Sequence, residues 1–243
     1  MARAPDPRDE ACTPPASVVH ELHDRYLREV VEGLNLCPFA RRSRELGRVE
    51  RPLFWVDGDA PDARAVAERI VETCAHNPDV EIILLTFVVP EGHPWATPEG
   101  FDPLVRALRE AYDAACTGRA PRFYMVPFHP GNVTNFAITP DSLVPLIRRT
   151  PDPVIQCVRA ETLDEVRRQA QRAAEGRFRE ALAQLGPEAL ALAERSIQTD
   201  PELSSDIARH NFEAVGQGEG RARLEERILA ILRARDDAYD RSR

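Results

Sequence analysis

Residues 80–89, Val-Glu-Ile-Ile-Leu-Leu-Thr-Phe-Val-Val, are rich in β-branched side chains, almost wholly apolar and closed by Pro90. Such a run reads as a central strand covered on both faces. It contains Glu81 and is far too short to span a bilayer. On its N-terminal side Ala63, Val66, Ala67, Ile70, Val71 and Cys74 recur at helical spacing, after an opening at Asp59-Ala60-Pro61-Asp62. Before that helix, Pro52 to Val56 reads as another strand.

On the C-terminal side Phe101, Leu104, Val105, Leu108, Ala111 and Tyr112 mark a second helix, ended by Thr117-Gly118. Arg122 to Phe128 is a third strand, Ser142 to Arg148 a short helix, and Pro153 to Arg159 a fourth strand. Thr162-Leu163-Asp164-Glu165 has the form of a capping box. This alternation predicts an α/β fold: an open, largely parallel or mixed sheet of about four strands flanked by helices. An earlier helix, with Val19, Leu22, Tyr26 and Val30 on one face, runs up to Gly33.

Three segments follow. Residues 1–15 are proline-rich and charged and read as a disordered leader, residues 16–175 as the α/β domain, and residues 176–243 as a helical C-terminal extension. In that extension Leu224, Ile228 and Leu232 form one stripe, which docks on the sheet domain or makes a homo-oligomer with a second subunit. Gly216-Gln217-Gly218-Glu219-Gly220 follows a helix rather than a strand, so it reads as a hinge and not as a dinucleotide loop.

The formal charge is −8, which disfavours nucleic acid as the main partner. Every one of the 32 basic residues is arginine, which removes Schiff-base chemistry and a Walker-type phosphate loop. Five cysteines at irregular gaps contain no CxxC pair. The chain begins without a signal-peptide pattern and offers no membrane span, so a cytoplasmic protein with reduced thiols is expected.

If the strands are parallel, Asp57, His93, His129 and Arg159 leave the sheet at one edge, the carboxyl edge where open α/β sheets bind ligands. The His-Pro words at 93–94 and 129–130 also serve as plain turn punctuation. Cys37 precedes Pro38, a residue favoured in the first turn of a helix, and Arg41 and Arg42 follow it. A thiol there is expected to be stabilised as thiolate; otherwise it is one more small buried residue, as Cys74, Cys116 and Cys157 are. Arg148 and Arg149 suit a carboxylate or phosphate, but in a parallel sheet they stand opposite the proposed rim. His20 and His23 sit three apart with Asp24 beside them, and read as a solvated helix flank rather than a metal site.

The words GLNLCPFA (33–40), MVPFHPG (125–131) and RRTPDPVIQCVRAETLDE (148–165) occur in an order that resembles the bacterial family DUF1415, a domain of unknown function. The resemblance covers roughly residues 18–170 and implies roles for Asn35, Cys37, Pro38, Phe39, His129, Pro130, Arg149 and Arg159. The family's third block differs here at Asp152, Gln156 and Ala160, so no histidine role carries over from it. The family brings no reaction with it and names no cofactor.

The leading expectation is therefore a thiol-dependent enzyme for a small anionic molecule. Cys37 is its nucleophile, His129 its acid or base, Arg149 or Arg159 its anchor, and Asn35 its oxyanion donor or histidine orienter. One alternative is a metal- or haem-binding protein using Cys37 with His129 or His93. The other is a non-catalytic ligand-binding or assembly module.

Overall fold

The computed structural model describes residues 14–37, 39–56, 61–116, 121–133, 139–165 and 211–242, together with 168, 172 and 176. Pro38 and Asp57 lie outside the described residues, as does most of the leader and of the stretch from 166 to 210.

Helix α1 (Ala16–Arg25) continues as a π-helical segment (Tyr26–Glu32). Then come α2 (Ala40–Glu45), β1 (Val49–Glu50), β2 (Leu53–Trp55), α3 (Ala63–His76) and β3 (Ile82–Val88). The chain goes on through α4 (Pro98–Ala115), β4 (Phe123–Phe128), α5 (Pro140–Ile147), β5 (Val154–Arg159) and α6 (Gly218–Asp240). The expected α/β architecture is present, as a five-stranded mixed sheet.

β1 and β2 both pair with β3 in parallel, like one interrupted edge strand. β5 lies between β3 and β4 and runs antiparallel to both. The apolar run at 80–89 is thus central, with neighbours on both sides.

Alternation along the strands sorts the sheet into two faces. Ile83, Leu85, Phe87, Met125, Ile155 and Cys157 face α3 and α4. Asp62 caps α3 by accepting from the Ala65 amide at 2.7 Å, and Val66, Ala67 and Ile70 are buried as expected. Val71 is exposed instead of inward, because the α4 contact takes only the narrower stripe.

The opposite face, Ile82, Leu84, Val126, Val154, Gln156 and Val158, lies under α1, the π-helical segment, α5 and α6. Leu224, Ile228 and Ile231 of α6 pack with Tyr26, Val30, Leu143 and Leu146. Tyr239 packs with Val19, Leu22 and Val88. The α6 stripe expected to serve a sheet domain or a second subunit is therefore seated within the protomer. At the other segment end, residues 160–165 are already helical, so Thr162 falls inside the helix it was expected to cap.

Candidate functional site

The reversal of β5 redistributes the polar residues that the sequence assembled at one edge. Arg159 moves to the opposite edge, where its Nη2 donates to the Pro78 carbonyl at 2.7 Å. Its Nε is buried without a partner among the described residues. Arg148 and Arg149, at the amino end of β5, arrive instead beside the carboxyl ends of β3 and β4. The Arg148 carbonyl accepts from the His129 amide at 2.9 Å, and Arg149 Nε donates to the Pro130 carbonyl at 3.0 Å.

His129 is 2% exposed, and both its ring nitrogens are engaged. Nδ1 accepts from the Gly131 amide at 2.9 Å, so Nε2 carries the proton and donates to the Trp95 carbonyl at 3.0 Å. Burial holds the imidazole below its usual range, against the pull of the Trp95 carbonyl. The ring packs toward Phe101, on the α3/α4 side of the sheet. His93 has the turn role: its Nδ1 accepts from the Trp95 amide at 3.1 Å. Asn35 is exposed and adopts a left-handed backbone, φ 52°, in the turn that ends the π-helical segment, a conformation asparagine tolerates better than most residues.

Cys37 packs with Phe39, Ile82 and Val158 on the other face of the sheet. Ile82 stands four positions along β3 from Thr86, whose partner Val154 pairs with Phe128, the residue before His129. At strand rise that is roughly 13 Å along the sheet in addition to the change of face. Cys37 and His129 are not brought together, either as an acid-base pair or as ligands of one metal or haem. The expected thiolate is also overturned. Burial pushes the Cys37 thiol up to about 11, outweighing the Phe39 and Ala40 amides that point at its sulfur, and the Glu32 carboxylate pushes the same way. The neighbouring cations face carboxylates they share with a closer arginine, Arg41 lying 3.7 Å from Glu32 and Arg42 3.8 Å from Glu81.

Cys37 does line a cavity of about 510 Å³ between the second sheet face and the helices over it. Its walls are mainly apolar, with Leu36, Phe39, Ile82 and Leu163 near Cys37, and Phe128, Val154 and Ile147 toward the other end. The π-helical segment contributes Tyr26, Leu27 and Val31. π-Helical turns are rare and recur at functional sites, and this one forms a cavity wall. Tyr26 ties that wall to α5 by donating its hydroxyl to the Ile147 carbonyl.

Three arginines reach the cavity. Arg44 is neutralised by both oxygens of Glu32, at 2.7 and 2.9 Å, and Arg51 by Asp24. Arg148 differs: its guanidinium lies 5.8 Å from the centre of the Phe128 ring and has no ion pair or hydrogen bond to a described residue. Desolvation lowers its proton affinity, as expected for a cation held without an anion. Asn211 also lines the cavity, with its Oδ1 buried and unpartnered among the described residues.

His23, read from sequence as a solvated flank, is buried and lines the same cavity. Its Nε2 lies 3.1 Å from Asp152 Oδ2, and Asp152 is fully buried. The Tyr239 hydroxyl donates to Oδ2 at 2.7 Å, and the Arg235 guanidinium approaches Oδ1 at 3.3 and 3.4 Å. Burial alone would raise the Asp152 carboxyl, but the bonds and charges of His23, Arg235 and Tyr239 hold it below the usual range. The one signal in the sequence was the word Thr-Pro-Asp-Pro, a stiffened turn directly before an apolar strand. His23, 129 residues away, has no local signal that could reveal its partner.

Among the described residues no group of three or more His, Cys, Asp or Glu is placed to hold a metal ion, and no helix is long and apolar enough to cross a membrane. No family model matches the chain, and no curated protein or solved structure is significantly similar to it.

Proposed function

We propose that the protein binds a small amphipathic anion, with the apolar body along the cavity toward Cys37 and the anionic head at Arg148. The observation that carries this reading is the Arg148 guanidinium, desolvated and without a counter-ion among the described residues in a cavity whose other arginines are neutralised. A half-buried cation of this kind is partly desolvated in the empty protein, and a carboxylate or phosphate group offsets that cost. The anionic ligand expected from sequence is retained, with its anchor moved from Arg149 or Arg159 to Arg148. Thiol catalysis is not part of this reading, because Cys37 has neither a low thiol pKa nor a base beside it. A cytoplasmic setting belongs to the same proposal, since Cys37, Cys74, Cys116 and Cys157 are free thiols. So does membership of DUF1415, which rests on the CPFA and FHP words.

Titration calorimetry with octanoate, a carboxylate with an apolar chain, tests the proposal. Wild-type protein is expected to bind it, and Arg148→Gln to weaken binding about 10- to 100-fold, the loss of one charge-assisted hydrogen-bonded pair. The ligand-free variant should unfold at no lower temperature than wild type, since the side chain it loses has no partner to orphan. Equal affinity in the two proteins, or no binding by wild type, overturns the reading.

A further inference from the structure

The cavity that Arg148 lines is also lined by His23, whose ring is paired with Asp152. Asp152 is an acceptor only, so the proton between it and His23 sits on His23 Nε2, and whenever the ring is neutral its lone pair is at Nδ1. No described residue hydrogen-bonds that nitrogen, although the ring is buried and lines the cavity. Asp152 is itself fixed from the far side by Tyr239 and Arg235, so the imidazole is held in one orientation and one tautomer. The π-helical segment continues from α1, and Tyr26, three residues after His23, bonds to the carbonyl of Ile147, the residue before Arg148. His23 and Arg148 thus come from two elements that are tied together and line one cavity.

We propose that this cavity hydrolyses an acyl ester of a medium-length apolar acid, with His23 as general base, Asp152 as its positioning residue and Arg148 as electrophile at the ester carbonyl. The inference rests on the binding reading above, since the carboxylate assigned to Arg148 there is the acid product of this reaction.

In the first step a water attacks the acyl carbon. Its oxygen forms the new C–O bond, its proton passes to His23 Nδ1, and the carbonyl electron pair moves onto the oxygen facing Arg148. In the second step that pair returns, the bond to the alcohol oxygen breaks, and the departing alkoxide takes the proton from His23 Nδ1. One ester and one water become one carboxylic acid, which ionises, and one alcohol; nothing is oxidised or reduced. Direct attack by water fits the cavity, because its one thiol, Cys37, stands at the opposite end of the strands.

The test measures 4-nitrophenolate released from 4-nitrophenyl octanoate by the full chain, with octanoate binding measured in parallel by calorimetry. Wild type is expected to turn over the ester faster than buffer, and faster than it turns over the acetate ester. His23→Gln is expected to lose about 10²- to 10⁴-fold in rate while binding octanoate within about twofold of wild type. Added imidazole should restore part of the rate to His23→Ala.

A wild type that binds octanoate but releases nitrophenolate no faster than buffer overturns the catalytic inference and leaves the binding reading standing. A His23→Gln protein as active as wild type overturns His23 as the base. No octanoate binding by wild type sinks both. If His23→Gln does not fold, the wild-type dependence on chain length decides: a rate no higher for the octanoate than for the acetate ester overturns the inference.

Discussion

Asp152→Ala is the most informative single change to the scaffold. The carboxylate it removes is fully buried and accepts from Tyr239 at 2.7 Å, His23 at 3.1 Å and Arg235 at 3.3 Å. Alanine leaves a phenol, an imidazole and a guanidinium without their acceptor at the junction of α1, β5 and α6. Removing one partner from a buried charged network costs about 3–5 kcal/mol, against a total stability of about 5–15 kcal/mol for a domain. At the rate of roughly 2–4 °C per kcal/mol for a chain of this size, the melting temperature should fall by roughly 10 °C.

Acid provides an independent check with a definite sign. The folded carboxyl titrates below its unfolded value of about 3.9, so between the two values the unfolded state binds more protons than the native one. Its contribution is therefore fully present above about pH 5 and is lost as pH falls through the folded value. Urea unfolding of wild type and Asp152→Ala should show a constant gap from pH 7 to about 5 that narrows in stronger acid. A gap under about 1 kcal/mol at pH 7, or one that does not narrow in acid, would mean that the network contributes no more than an exposed ion pair.

Two further changes probe other parts of the molecule. Cys37 should alkylate with iodoacetamide more slowly than a free cysteine at pH 7–8, because its thiol is pushed up to about 11; peptide-level mass spectrometry that finds it the fastest of the cysteines would refute the burial argument. Gly100→Ala would set a Cβ 2.0 Å from the Pro94 carbonyl oxygen, in the turn whose Trp95 carbonyl takes the His129 proton. It should cost about 1–3 kcal/mol in thermal unfolding, and a neutral result would show that the approach is not tight.

Most of the fold was legible because hydrophobic periodicity is a local property. The strands at 53–55, 82–88, 123–128 and 154–159 and the faces of α1, α3, α4 and α6 follow from spacing alone. Strand direction does not. Val154, Gln156 and Val158 alternate with Ile155, Cys157 and Arg159 in the same way read forwards or backwards, and the α5 connection is long enough for either sense. That one reversal sends Arg159 away from the candidate rim and brings Arg148 to the cavity. Cys37 shows a different limit: its helix start and neighbouring arginines were visible, but whether a thiol ionises depends on burial by β3 and β5, which no window of sequence around it contains. His23 failed in the opposite direction. Its position on the flank of an amphipathic stripe made it look solvated, and only α6, closing over α1 from the far end of the chain, makes it interior.

The two sides of the sheet answer to different demands. Over α3 and α4 the core is aromatic: Phe54 stacks on Phe87 at 5.0 Å, and Trp95 and Phe101 meet Phe87 edge-on at 5.6 and 5.4 Å. His129 belongs to that packing, with both ring nitrogens engaged by backbone groups. Under α1, α5 and α6 the described residues instead form a cavity lined by a cation without a counter-ion among them, beside a buried carboxylate held by three donors. Each of these costs stability that an apolar filling would not. Arg148 and His23 line that one cavity, and Asp152 stands behind His23. The concentration of locally unfavourable choices around Arg148 and His23 is the physical ground for placing function there and not at Cys37 or His129.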